Sequence, residues 1–113
     1  MNIKPIILHD EDTGVSYTLE FSRESVKFAE AHGFSVEDVA RYPMTKLPEM
    51  FYYAFRMHHK NLSRGQTDAI LFDKLGGMSE AMAEKLAVLY SLPFDCLVVE
   101  DDKANPTKMT VEL

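Results

Sequence analysis

The sequence predicts an α+β domain that is mostly α: an N-terminal β-hairpin packed on a bundle of four to five short helices. Three observations predict it. Val15, Tyr17, Leu19 and Phe21 alternate with Ser16, Thr18 and Glu20, which is the period of a half-buried strand. Beyond Phe21 the apolar residues change to helical spacing, divided by serines and glycines that suit helix starts and stops. Finally, 113 residues with 46% hydrophobic and 27% charged side chains are enough for one ordinary core.

The first strand is expected over Ile3–Leu8, with Pro5 favouring an edge position. His9 to Gly14 supplies turn chemistry through its acids and terminal glycine, so the two strands pair across a loop longer than two residues. A lone hairpin is marginal in water, so its apolar face must lie on helices. Ser22 is the expected N-cap of a first helix running from Arg23 to about His32, stopped by a left-handed Gly33. Ser35 with Asp38 resembles a capping box for a short second helix ending before Pro43. Thr45 or the Pro48 region opens a third helix that runs to about Lys60. Ser63 with Gln66 caps a fourth helix, closed by Gly76-Gly77. Ser79 starts a fifth, with Met82, Leu86, Leu89 and Tyr90 on one face and Pro93 ending or kinking it. Leu97-Val98-Val99 reads as a last short strand or a buried extension. Residues 1–100 form one domain in this reading, with the hairpin at 3–21 and the helices at 23–97, and residues 101–113 form a flexible tail.

Composition narrows the function. No apolar run approaches the ~18 residues of a membrane span, and the N-terminal stretch lacks a small-residue cleavage site for secretion. Cys96 is the single cysteine and has no internal disulfide partner, which favours a reducing, cytoplasmic setting. The net charge of -6 argues against a nucleic-acid backbone binder and leaves protein partners open.

Little in the chain carries catalytic or cofactor chemistry. His58 and His59 are adjacent, so on a helix they point about 100° apart and cannot share a metal in the usual i, i+4 manner. His9 and His32 lie far away in sequence, so an enzyme site built from His9, His32 and His58 is the weakest reading. Asp10-Glu11-Asp12 lacks the spacing and later glutamate of a calcium loop, and Glu100 to Asp102 reads as a solvated acidic run. Cys96 sits in an apolar stretch, where a buried inert thiol is the default. Gly76-Gly77 follows a helical pattern, so a C-cap is expected there instead of a phosphate cradle. No cofactor is expected. A small DNA-binding or regulatory protein is the alternative reading, with Lys60 and Arg64 beside the fourth helix as its weak basic patch.

The third helix holds the main signal. Leu47, Met50, Phe51, Ala54, Phe55 and His58 make one core-facing stripe, while Tyr52, Tyr53 and Met57 lie off it. A bundle that buries this helix on nearly all sides explains the excess. So does an exposed aromatic and methionine surface, which suits adaptable protein recognition. On the second reading Met50, Phe51, Tyr53 and Met57 are the candidate protein-binding residues.

The run LEFSRESVKFAEAHGFSVEDV, then P-x-T-K-L-P-E-M-F-Y-Y-A-F with a histidine pair and an S-R-x-Q-x-D-x-I helix, resembles small phage and prophage proteins of Gram-positive bacteria. That group is associated with tail assembly chaperones of long-tailed phages, and the resemblance spans roughly Tyr17 to Leu75. It implies a mostly helical, non-enzymatic protein with an N-terminal hairpin that coats the helical tape measure protein before tail tube subunits polymerise around it. The tail tube protein is then a further partner, self-association stays open, and no nucleic acid or membrane is involved. It also implies that a longer, frameshifted form can exist.

Overall fold

The computed structural model describes residues 3–97 and Glu112. The fold is α+β and mostly α, with a two-stranded antiparallel hairpin and five α-helices among the described residues. β1 (Ile6–His9) pairs with β2 (Ser16–Leu19), in the register Ile6 opposite Leu19 and His9 opposite Ser16. The turn between them is organised by Asp10. Its carboxylate accepts from the N–H groups of Asp12 and Thr13, and its own backbone bonds both Gly14 and Val15. Gly14 closes the turn with φ +74°, a left-handed conformation that costs glycine nothing. Lys74 reaches the same carboxylate and holds Asp10 below its usual pKa, which ties the turn to a residue 64 positions further along the chain.

Ser22 caps α1 (Arg23–Ala31) in a reciprocal box. Its hydroxyl accepts from the Ser25 N–H, and the Ser25 hydroxyl accepts from the Ser22 N–H. The expected box at Ser35 and Asp38 does not form. Ser35 offers its backbone carbonyl to Asp38, and α2 (Asp38–Arg41) begins without a side-chain cap.

α3 (Pro43–Phe55) differs from expectation at both ends. Pro43 occupies its first turn, where a missing N–H costs nothing, and Pro48 sits inside the helix. An interior proline normally breaks a helix because it frees the carbonyl four residues back. Here that carbonyl belongs to Met44, which is 91% exposed and open to water, while Pro48 itself is buried. The helix ends at Phe55, about a turn short of Lys60, so the histidine pair lies in a turn and not on the helix.

Ser63 and Gln66 make the expected box on α4 (Arg64–Ala69). The chain then widens into one π turn, Ile70–Lys74, marked by the Leu75 N–H donating to the Ile70 carbonyl. The wider turn lets two consecutive residues, Ile70 and Leu71, both face the core. Gly76 and Gly77 follow with positive φ. Ser79 caps α5 (Glu80–Ser91), and Pro93 starts a 3₁₀ segment, Leu92–Cys96. The expected strand at Val98 and Val99, the tail at 101–113 and the Cys96 side chain fall outside the described residues.

α3 is the axis of the fold, packing against α1, α2, α4, α5 and β2. Met50, Phe51, Ala54 and Phe55 are fully or almost fully buried with Leu19, Ala29 and Leu86. Phe51 meets Phe55 edge-on at 5.0 Å. A second aromatic line joins Phe28 and Phe34 to Tyr53, and Phe34 on to Tyr90 and Phe21. Burial pushes the Tyr90 phenol up to about 12, and burial, then Glu49, raises that of Tyr53, so both rings stay neutral in the core.

Candidate functional site

The four residues singled out on the third helix separate sharply. Met50 and Phe51 are 0% exposed and Tyr53 is 7% exposed, whereas Met57 is 39% exposed. The surplus apolar surface expected along this helix is therefore corrected. The core takes up Tyr53 from off the stripe, because α1 and the segment around Phe34 close over it, while Tyr52 stays half-buried. In this fold a partner cannot reach Met50, Phe51 or Tyr53 without opening the domain. Met57 alone of the four meets solvent.

Met57 lines a groove of about 590 Å³ between α1 and the turn after α3. Its apolar floor comes from Phe28, Ala31 and Met57. Its rim is basic: Lys27, Arg56 and Lys60 stand against one carboxylate, Glu24. Lys27 and Glu24 are 3.9 Å apart and both largely exposed, so that pair neutralises little. The Arg56 guanidinium lies 3.9 Å above the centre of the Phe28 ring, and His32 stacks on the same ring at 4.2 Å. Phe28 is thus held by Arg56 and His32 while staying half-buried. The local balance of three cations to one anion opposes the net charge of -6 over the whole chain.

These residues share no sequence motif. Lys27 and Phe28 are adjacent on α1, and Arg56, Met57 and Lys60 follow the end of α3. The early termination of α3 brings them together, because its final turn folds back beside α1 and does not continue along the helix axis. No sequence signal pointed to Lys27, Phe28 or Arg56.

The histidines take separate tasks. His9 Nδ1 bonds the Ser16 hydroxyl at 2.8 Å, across the end of the hairpin. His32 Nδ1 bonds the Phe28 carbonyl at 2.8 Å. His58 Nε2 meets the Glu20 carboxylate at 2.6 Å, and His59 Nε2 accepts the Thr18 N–H at 3.0 Å. The residues of the weakest sequence reading, His9, His32 and His58, are thus each engaged with a different neighbour. Among the described residues no group of three or more His, Cys, Asp or Glu could hold a metal ion. A second pocket of about 340 Å³ lies at the hairpin turn, lined by Asp10, Asp12, Asp73 and Lys74. Arg64, the basic residue of the fourth helix, is turned onto Asp68 at 3.1 Å. Among the described residues no helix is long and apolar enough to cross a membrane.

The chain belongs to the family described as "Domain of unknown function (DUF5055)", whose model matches residues 2–113. No curated protein and no solved structure matches it.

Proposed function

We propose that this DUF5055 chain is a non-enzymatic tail assembly chaperone of a long-tailed phage, working in the host cytoplasm and binding the helical tape measure protein. The observation that carries the reading is the groove of Lys27, Phe28, Arg56, Met57 and Lys60, an apolar floor inside a basic rim on an acidic protein. Its complement is an amphipathic helix that lays apolar side chains at i, i+3 and i+4 on Phe28 and Met57, with acidic residues flanking them. Phe28 and Met57 supply the buried contact, and the cations supply orientation and speed of encounter. The excess of acids elsewhere keeps a protein with a sticky groove soluble. The tail tube protein is a second candidate partner, reached once the tape measure is coated.

The resemblance in layout from Tyr17 to Leu75 supports the phage setting. The DNA-reading alternative draws less support. α4 has only the six residues Arg64–Ala69 before the π turn, and its one arginine is paired.

The test is co-purification and calorimetry of the full chain with the tape measure protein of its own gene cluster. A complex is expected that weakens with salt, loses about tenfold or more in affinity on Met57→Asp, and loses its salt dependence on Lys27→Glu with Lys60→Glu. Circular dichroism of these variants should match the parent chain. A well-folded parent with no complex, or a complex indifferent to all three changes, removes this reading.

A further inference from the structure

The histidine pair is the motif the groove does not use, and it holds the hairpin to the body of the protein. Alternate residues of a strand point their N–H groups to the same edge. On β2 and its extension these are Thr18 and Glu20, and both N–H groups are turned to the end of α3. Glu20 donates to the Ala54 carbonyl at 3.2 Å. Thr18 donates to His59 Nε2 at 3.0 Å. The unpaired edge of the hairpin is thus covered partly by an imidazole instead of a third strand.

An imidazole nitrogen accepts a hydrogen bond only when it carries no proton. His59 must therefore be neutral, with its proton on Nδ1, for the Thr18 contact to exist. Protonation would set two donors face to face. The neighbouring His58 behaves differently. Its Nε2–H donates to the Glu20 carboxylate, and that bond survives in either protonation state. The adjacent histidines therefore join the same strand through unlike bonds: one needs a bare ring nitrogen and the other a ring N–H.

We propose that His59 is a proton-operated latch, holding the β2 edge on α3 while its ring is neutral and releasing the Thr18 amide when the ring takes a proton. The surroundings of His59 make the site selective for the neutral ring. Tyr17 from β2 stands T-shaped to the ring at 5.4 Å and Phe55 from α3 at 6.0 Å, and together they shield part of it from water. His58 is the nearest titratable side chain on the same segment, at 6.2 Å, and Glu20 lies beyond it, bonded to His58. Lys60 follows in the chain and is exposed to solvent. Burial first, and the neighbouring His58 second, lower the pKa of His59. A depressed folded value means that the contact stabilises the fold above the unfolded imidazole value of about 6.5 and is lost as pH falls through the folded value. The latch is therefore closed at neutral pH and opens only as pH falls below the ordinary imidazole range, whatever the groove binds.

Nitrogen-15 NMR of the full chain between pH 8 and pH 5 tests this. At pH 8 the His59 ring should show the Nδ1–H tautomer. On acidification the Thr18 amide should move in one step that shares its midpoint with the His59 ring. His59→Gln keeps an acceptor that does not titrate, and it should abolish the step, whereas His58→Gln should retain it. An Nε2–H tautomer at pH 8, or a Thr18 step that persists in His59→Gln, overturns the proposal. Should His59→Gln fail to fold, the tautomer and the shared midpoint in the unaltered chain decide the question alone.

Discussion

Met50–Phe55 and Arg56–Lys60 adjoin in sequence and differ in everything around them. The first stretch is helical and, apart from half-buried Tyr52, closed off from solvent. The second is a turn whose side chains line a groove, meet a strand edge or reach water. The second is also the more polar, with Met57 as its one apolar side chain among two cations and two histidines. The number of elements packed around the chain separates them further. Four helices and a strand surround α3, leaving even off-stripe Tyr53 almost without a surface. Past Phe55 the chain meets α1 along the groove and the edge of β2 at Thr18 and Glu20. An apolar surplus in sequence therefore marks a central helix as readily as a binding surface.

The sharpest way to break this comparison is to truncate each side. Phe51→Ala should cost about 3–5 kcal/mol of stability in denaturant unfolding, because it opens a cavity among residues with no exposure. Met57→Ala should stay within about 0.5 kcal/mol in the same experiment. Equal losses at both positions would mean that the turn after α3 is as buried as the helix. Next in size is the groove. Phe28→Ala removes the ring that Arg56 covers, and it should lower partner affinity roughly tenfold or more, seen by calorimetry. Arg56→Gln should lower it less, since it removes the cation and keeps the ring.

Smaller still are the helix caps, which sharpen the contrast between sequence signals that fold as read and those that do not. Ser22→Ala should cost about 1 kcal/mol, because it removes the acceptor for the Ser25 N–H. Ser35→Ala should cost only a few tenths, because Ser35 uses its backbone carbonyl and makes no side-chain cap. Thermal unfolding of the two variants side by side checks the pair. A loss at Ser35 equal to that at Ser22 would show that its hydroxyl works in solution after all.

Much of the fold was legible because it depends on near neighbours. The boxes at Ser22 and Ser63, the cap at Ser79, the left-handed Gly33 and the alternation of β2 each involve residues a few positions apart. Backbone sterics and one hydrogen bond decide them, and both are present in the local sequence. Ser35 with Asp38 failed under the same rule because α2 is only one turn long and begins where α3 allows it. The π turn after Ala69 had no local sign, since it exists to turn Ile70 and Leu71 together onto a core built by other elements.

The candidate site was far less legible. Of the four residues the sequence favoured, Met57 is the one at the surface, and its groove partners Lys27 and Phe28 come from a helix 30 positions away. Sequence by itself determined a hairpin followed by helices, where most of them start, and that the chain is acidic with a dense aromatic centre. The tertiary structure decided which face of that centre is hidden, where α3 stops, and which charges gather beside Phe28. It decided these because burial and electrostatics are summed over every element that packs against a residue. Sequence spacing lists only the neighbours along the chain.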